Sequence, residues 1–169
     1  ALERVRAKAM AMNNPEDLTQ TAHTFFSELV KLNIKTHRCG FGIVDKESQS
    51  TDVHATTATL DKSFKVVTGR LNLYGHPVLE NILNGYLKQK EYHPVLRGDE
   101  ISEYYKVMNP QIEFPEFSED EVQYGYYFYF KEGGVFAWTD KEFSENELEI
   151  FRRYTSVLSL TYRRYIDLK

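Results

Sequence analysis

The segment VQYGYYFYF, residues 122–130, is the strongest strand signal in the chain. Its aromatic side chains alternate onto both faces of the predicted strand. A strand that is apolar on both faces lies inside a sheet and has a layer of structure on each side. Gly133 and Gly134 then supply the positive φ of a tight turn, and residues 135–139 return as a second strand. The two segments predict a hairpin in the middle of a covered sheet.

Helix and strand signals alternate along the rest of the chain. Short apolar or alternating runs predict strands, and apolar residues three and four apart predict helices. The predicted strands are 37–44, 51–60, 64–74 and 92–96, and the predicted helices are 1–12, 15–32, 77–87, 99–108 and 145–169. This order indicates one α+β domain, 1–169, with a mostly antiparallel sheet of about six strands. We expect the terminal helices on one face, and the middle helices with the acidic loop 109–120 on the other.

The first and last helical segments carry apolar stripes with 3-4 spacing, which is typical of helices that pack against another helix. The stripes are Leu2, Val5, Ala9 and Met12 in the first segment, and Leu148, Phe151, Thr155, Leu158, Tyr162 and Tyr165 in the last. Two explanations stay open: pairing of two copies into a homodimer, or packing on the chain's own sheet. Since neither outer end has a stop signal, we expect 1–12 and 145–169 to continue into signalling segments of a longer protein.

Composition narrows the classes of function. The net charge is -4, and the arginine pairs of the last helix alternate with acidic residues, so no basic face for nucleic acid is predicted. Cys39 is the only cysteine, which excludes an internal disulfide and predicts a small buried residue. No apolar run approaches the ~20 residues of a membrane helix, and no signal-peptide pattern opens the chain. We therefore expect a cytoplasmic domain that does not contact a membrane.

Three segments carry a resemblance to a known family. They are RCGFGIVDKES as first strand and turn, GRLNLYGHPVLENIL as third strand and helix, and VQYGYYFYFKEGGVFAWTDKEFSENELEIFRRYTSVLSLTYRRYIDL as final hairpin and helix. In this order they resemble the GAF domain, a relative of the PAS domain found in sensor kinases and cyclases. The opening ALERVRAKAMAM followed by NNPEDL is similar to junctions between tandem GAF-like units in bacterial sensor histidine kinases. The resemblance implies an antiparallel sheet, a ligand cavity between the sheet and the middle helices, and dimerisation through the terminal helices.

The function that this resemblance implies is a non-catalytic sensory or regulatory domain, joined to the output domain of a signal-transduction protein such as a histidine kinase. The chain lacks the Asn-Lys-Phe-Asp-Glu type of motif of cyclic-nucleotide-binding members. It also lacks the cysteine and the Asp-Ile-Pro signature of bilin-binding members, and the several cysteines of methionine sulfoxide reductase members. We therefore expect no enzyme activity and no cofactor, and we expect an unidentified small molecule or a partner to bind at the face between the sheet and the helices.

The candidate ligand-binding residues are aromatic or carry an imidazole, which would suit a small, partly aromatic metabolite. They are His54, Tyr74, His76, Tyr104, Tyr105, Tyr124, Tyr126 and Phe128. Tyr124, Tyr126 and Phe128 share one face of the aromatic strand and are the predicted cavity wall.

Two of these predictions have a simpler alternative. A helix that opens at Gly75-His76-Pro77 would present free backbone N–H groups to an anion or carbonyl, or it would be a plain turn into a helix. Tyr104 and Tyr105 would either cover the cavity as a lid or plug the core.

Two other classes of function stay open. If the rings fill the interior completely, the domain is a structural spacer that dimerises and aligns its neighbours. A small hydrolase or isomerase is the third hypothesis, because Asp45, Glu47, His54 and His76 could act as acids and bases. No spacing joins those four residues into a unit, and no histidine pair has the spacing of a metal site, so no metal is expected.

Overall fold

The computed structural model describes residues 3–4, 7, 15–59, 63–115, 117 and 120–167. Its helices are α1 (Pro15–Lys31), α2 (Pro77–Lys88), α3 (Asp99–Met108) and α4 (Glu145–Asp167). Its strands are β1 (Arg38–Asp45), β2 (Ser50–Ala58), β3 (Phe64–Asn72), β4 (Val95–Arg97), β5 (Val122–Phe130) and β6 (Gly133–Thr139). The bounds of α3 and β5 are those predicted from the sequence.

The strands form one six-stranded sheet in the order β3-β2-β1-β6-β5-β4, and every neighbouring pair is antiparallel. The first strand of the chain and the last one therefore pair in the middle, where Arg38 is opposite Trp138. Helices cover both faces, which confirms the predicted α+β architecture.

Each face of the sheet has its own apolar core. The terminal-helix core lies under α1 and α4 and includes Phe25, Phe26, Leu29, Cys39, Phe41, Tyr126, Phe128, Phe151, Tyr154 and Leu158. The middle-helix core lies under α2 and α3 and includes Val53, Leu73, Leu79, Ile82, Tyr104, Met108, Phe114, Tyr127, Phe136 and Trp138. β5 contributes alternate side chains to the two cores, as its aromatic sequence predicts.

The turn between β5 and β6 differs from the prediction. The loop is Lys131-Glu132, and neither Gly133 nor Gly134 has a positive φ. Gly133 is instead needed for close approach, because a Cβ there would lie 1.9 Å from the carbonyl oxygen of Gly42 on β1. The glycine therefore allows β1 and β6 to pair at the centre of the sheet.

β4 is shorter than predicted and lies further along the chain. The predicted strand 92–96 contains Pro94, which has no N–H to donate to a ladder. Tyr92 makes an isolated bridge with Tyr127, the carbonyl of Pro94 accepts a hydrogen bond from Gly125 N at 2.8 Å, and regular pairing begins only at Val95. The proline thus confines this segment to the sheet edge, as its chemistry predicts.

The apolar stripe of α4 faces the chain's own sheet. Leu148, Phe151, Leu158 and Tyr165 are buried in the terminal-helix core, and Tyr162 packs against it. The structure therefore packs these five residues of the last stripe in or against the domain's own core. Leu2, Val5 and Met12 lie outside the described residues.

Candidate functional site

A partly open cavity lies between the sheet and the middle helices. Its walls come from β1, β2, β3, β5, β6, α2 and α3, and are mainly apolar or aromatic. They are formed by Arg38, Gly42, Val44, Thr51, Val53, Leu71, Leu73, Ile82, Tyr104, Met108, Phe114, Tyr127, Tyr129, Gly134, Phe136 and Trp138. The space open to the centres of water molecules is about 50 Å³. A single water needs ~10–15 Å³ on this measure, so the cavity has room for a small ligand or a few waters.

Two glycines on the sheet side of the cavity, Gly42 and Gly134, have little room for a side chain. A Cβ at Gly42 would come within 2.4 Å of Thr51 Oγ1, and a Cβ at Gly134 would lie 3.1 Å from the Tyr129 ring. The Tyr129 hydroxyl donates to the carbonyl of Ile82 at 2.9 Å, so the ring joins β5 to α2 along the side of the cavity. On the sheet side, the cavity is therefore bounded by backbone at the two glycines and by the Tyr129 ring, which is held by its hydrogen bond to α2.

Three polar groups of the cavity wall, on Trp138, Tyr127 and Tyr104, lie next to one another. Trp138 Nε1 donates to the Tyr127 hydroxyl at 2.8 Å, and the Tyr127 hydroxyl is hydrogen-bonded to that of Tyr104. Burial raises the pKa of Tyr104 to about 12 and raises the pKa of Tyr127 well above its ordinary value. Both phenols are neutral at physiological pH and can serve as hydrogen-bond donors or acceptors to a ligand.

Arg38 is the charged residue of the cavity wall, and it is 1% exposed. Its Nη1 donates to the Tyr105 hydroxyl. The guanidinium carbon lies 4.8 Å from the ring centroid of Phe114 and 5.2 Å from that of Trp138. Burial acts to lower the pKa of Arg38, but the charges that Tyr105, Tyr104 and Tyr127 would carry once ionised outweigh it, and the pKa is raised overall. Arg38 is a permanent cation in an aromatic surrounding.

A hydrogen-bonded chain leads from Arg38 toward the end of the sheet. The Tyr105 hydroxyl donates to Gln123 Oε1 at 3.0 Å, and Gln123 Nε2 donates to Asp120 Oδ2 at 3.1 Å. The same Asp120 oxygen lies 2.6 Å from His37 Nε2. Two neutral side chains therefore separate the buried cation from the carboxylate of Asp120.

Two of the predicted site residues are at the cavity. Tyr104 lines it, and Tyr105 lies behind it as the partner of Arg38. Both are 1% exposed and belong to the middle-helix core, so they plug that core instead of forming a mobile lid.

His76 and Tyr74 have other positions. His76 Nδ1 accepts a hydrogen bond from Val78 N at 3.0 Å, so the histidine caps its own helix and occupies the predicted anion-binding end. Its ring lies 5.3 Å from that of Tyr104, outside the cavity wall. Tyr74 is 49% exposed at the surface.

The other four predicted residues lie on the opposite face of the sheet, which corrects the predicted wall. Tyr124, Tyr126 and Phe128 pack in or against the terminal-helix core, and His54 stacks on Phe41 at 5.1 Å between centroids. The period of two separates the faces of β5 correctly but does not say which helices cover which face. The cavity is lined instead by Tyr127 and Tyr129, which lie on the other face of β5. Arg38 was not among the predicted residues, and its signal in the sequence is a cation at the start of an otherwise apolar strand.

Cys39 and one acidic cluster lie away from the cavity. Burial raises the pKa of the Cys39 thiol far above its ordinary value, and the side chain faces the terminal-helix core, so it is neither a thiolate nor near a ligand. His37, Asp120 and Asp140 bring ligand atoms within 4.8 Å of one another, a grouping that the sequence analysis did not predict. The ring of Phe117 stacks on His37 at 4.0 Å.

We expect His54 to make the domain less stable as the pH falls. Burial lowers its pKa, and the nearby Asp52 opposes this effect only in part. The unfolded chain then binds the proton more tightly, so the free energy of unfolding decreases as the pH falls below the unfolded pKa of about 6.5. Urea denaturation at about pH 7.5 and about pH 5.5 measures the decrease, which should be smaller in His54→Gln. An equal decrease in both proteins would contradict this assignment.

Together, the sheet order, the two helical layers and the cavity define a class of α+β domains that enclose a site between an antiparallel sheet and its middle helices. Three solved structures are similar. The GAF domain of a phosphoenolpyruvate-protein phosphotransferase from Acinetobacter is 12% identical with a TM-score of 0.60, covering 99% of this chain and 93% of that one. Residues 122 to 287 of a methyl-accepting chemotaxis protein are 12% identical with a TM-score of 0.58, covering 96% of each chain.

The third structure is a free methionine-R-sulfoxide reductase from Neisseria meningitidis in complex with its substrate. It is 13% identical with a TM-score of 0.56, and the match covers 99% of this chain and 89% of that one. The chain therefore has the fold of a GAF domain. No protein-family profile matches the chain, and no curated protein does. Among the described residues, no helix has the length and apolar character needed to cross a membrane.

Proposed function

We propose that this chain is a non-catalytic sensory domain of a signal-transduction protein, which binds a small ligand in the cavity between the sheet and α2 and α3. The observation that carries the proposal is the cavity itself, whose apolar wall and few polar groups are typical of ligand sites. Of the similar structures, one is a region of a methyl-accepting chemotaxis protein, which favours a sensory role. A sensor histidine kinase is the parent protein that the sequence of the first segment favours.

The lack of catalysis in this proposal rests on the chemistry of the described cavity wall. Its ionisable groups are Arg38 and three tyrosines. Burial raises the pKa of Tyr104, Tyr127 and Tyr129, and Arg38 stays protonated, so none of them is poised to transfer a proton near neutral pH.

Strand β5 contacts both the cavity and α4. Tyr127 and Tyr129 of β5 line the cavity, while the adjacent Phe128 stacks on Phe151 of α4 at 5.7 Å between ring centroids. A ligand that displaces β5 would therefore shift the surface on which α4 rests. The homodimer expected from the sequence is part of this proposal, with Leu160 (66% exposed) and Ile166 (43% exposed) as the apolar residues of α4 that a second copy would cover. Solution mass at rising concentration tests it.

A ligand screen with a cavity-filling variant tests the proposed function. A metabolite present at about 100 times its Kd should raise the melting temperature by about 5–10 °C, because it binds only the folded chain. Val53, which is 5% exposed, lines the cavity, and Val53→Phe should abolish the rise by filling the space. The matched control is Val66→Phe on β3, where the valine is 39% exposed and outside the wall, and where the rise should persist.

Hydrogen exchange then distinguishes ligand binding in the cavity from transmission of a conformational change to α4. The ligand should slow exchange in β5 and β6 and change exchange in α4. Protection confined to the cavity strands would retain the binding site and refute the route through α4. A temperature rise that persists in Val53→Phe would refute the site.

A structural spacer without a ligand is the second candidate. The observation in its favour is the volume of about 50 Å³, which is small on the scale of known ligand pockets. In that case no metabolite raises the melting temperature, and Val53→Phe is as stable as the parent chain or more so.

A further inference from the structure

Arg38 carries a buried charge whose hydrogen bonding is incomplete. Nη1 donates to the Tyr105 hydroxyl, but Nη2 has no hydrogen-bond partner. Among the described residues, the main groups that act electrostatically on the guanidinium are Tyr105, Tyr104 and Tyr127, and none of them is a carboxylate. A buried arginine normally faces a carboxylate, because the loss of hydration must be compensated by an opposite charge.

The surrounding rings compensate only part of this loss. The guanidinium carbon lies 5.1, 4.8 and 5.2 Å from the ring centroids of Tyr105, Phe114 and Trp138. Aromatic faces attract a cation, but they accept no N–H···O bond and do not neutralise the charge. The carboxylate of Asp120 is reached only through the neutral Tyr105 and Gln123. The arrangement thus holds the cation in place and leaves one of its donors unused.

The unused donor belongs to a side chain that lines the cavity. The other described wall residues near it are apolar or aromatic, with the Tyr104 hydroxyl as a further donor or acceptor. A guanidinium fork matches the two oxygens of a carboxylate in geometry as well as in charge.

We propose that the cavity takes a small organic carboxylate, whose carboxylate pairs with Arg38 and whose apolar group lies against the aromatic wall. This inference rests on the proposed function and names the chemical class of its ligand. The cavity volume of about 50 Å³ restricts the ligand to a short acid. An inorganic phosphate dianion is disfavoured, because the described wall supplies one cation and the N-terminus of α2 is capped by His76.

Matched acids and amides test the charge of the ligand directly. The probes are propionate against propionamide, isovalerate against isovaleramide, and inorganic phosphate, each measured by isothermal titration calorimetry. We expect the acids to bind at least about tenfold more tightly than their amides, a difference of about 1.4 kcal/mol. Arg38→Met, which removes the charge and keeps an extended apolar side chain, should abolish the preference. Arg38→Lys should keep part of it, since the charge remains and the fork is lost.

The melting temperature of Arg38→Met in the absence of ligand is a second readout. Because Arg38→Met removes a charge that is buried without a counter-charge, its melting temperature should equal or exceed that of the parent chain. A variant that melts at a lower temperature would show that the rings and Tyr105 already satisfy the cation, and this would overturn the proposal.

The binding outcomes separate this inference from the proposed function. Equal binding of acids and amides, abolished in Val53→Phe, would overturn the anion assignment and keep the ligand site. Binding of phosphate without the acids would overturn the carboxylate class. Absence of binding by every acid would also refute it, whereas the proposed function is judged by the metabolite screen alone. Failure of Arg38→Met to fold would count as a lower melting temperature and overturn the proposal, while the acid-amide comparison in the parent chain and in Arg38→Lys tests the charge without that variant.

Discussion

Replacing Phe151 by alanine is expected to lower the free energy of unfolding by about 3–5 kcal/mol. Phe151 is fully buried, and its ring lies 5.5 Å from that of Phe25, 5.7 Å from that of Phe128 and 5.1 Å from that of Phe143. Truncation removes contacts with α1, with β5 and with the segment that precedes α4. Since whole domains are stable by only about 5–15 kcal/mol, urea denaturation should show a large shift of the midpoint.

Leu160→Ala is the matched control on the same helix. Leu160 is 66% exposed in the single chain, so at a protein concentration where the chain is monomeric its truncation should change the free energy of unfolding by less than about 0.5 kcal/mol. Similar losses in the two variants would contradict the orientation of α4, and with it the assignment of its apolar stripe to the domain's own core.

Trp138→Ala is expected to have an effect of similar size on the other face of the sheet, about 3–5 kcal/mol. Trp138 is fully buried and stacks on Tyr104 at 5.5 Å between centroids, and its Nε1 donates to the Tyr127 hydroxyl at 2.8 Å. Its removal creates a void beside the cavity, deprives the Arg38 cation of one ring and removes a donor from a buried phenol. Because Trp138 is the only tryptophan, unfolding is best followed by circular dichroism.

Trp138→Phe separates the ring from its N–H group. It should cost about 1–3 kcal/mol, the range for a buried polar group that loses its partner. A loss below about 1 kcal/mol in Trp138→Ala would mean that the indole is not packed as described.

Local chemistry in the sequence predicts much of this fold. The capping box of Ser144 and Glu147 is formed in both directions, with Glu147 N donating to Ser144 Oγ at 3.2 Å and Ser144 N donating to Glu147 Oε1 at 2.8 Å. The alternation in 122–130 predicts a strand covered on both faces, and β5 is one. Signals of this kind act between near neighbours in the chain, so they can be read without tertiary structure.

The candidate site could be predicted only in part, because it depends on contacts between distant segments. The period of two separates Tyr126 from Tyr127, but the cavity lies on the Tyr127 side because α2 and α3 cover that face. The unpartnered Nη2 of Arg38 likewise becomes visible only when β1, α3 and β6 are brought together. Sequence patterns indicate which residues are buried, but they do not show which of them have partners.

The pairing of β1 with β6 has a consequence for how the domain folds. The central strand pair of the sheet brings residue 38 opposite residue 138. The two halves of the sheet can therefore pair only after most of the chain is available. Contacts between residues so distant in sequence close long loops and slow the search for the native topology. During synthesis, the edge of β1 in the β1-β2-β3 half stays unpaired until β6 is available. That edge is the place where chaperones would act and where misassembly would begin.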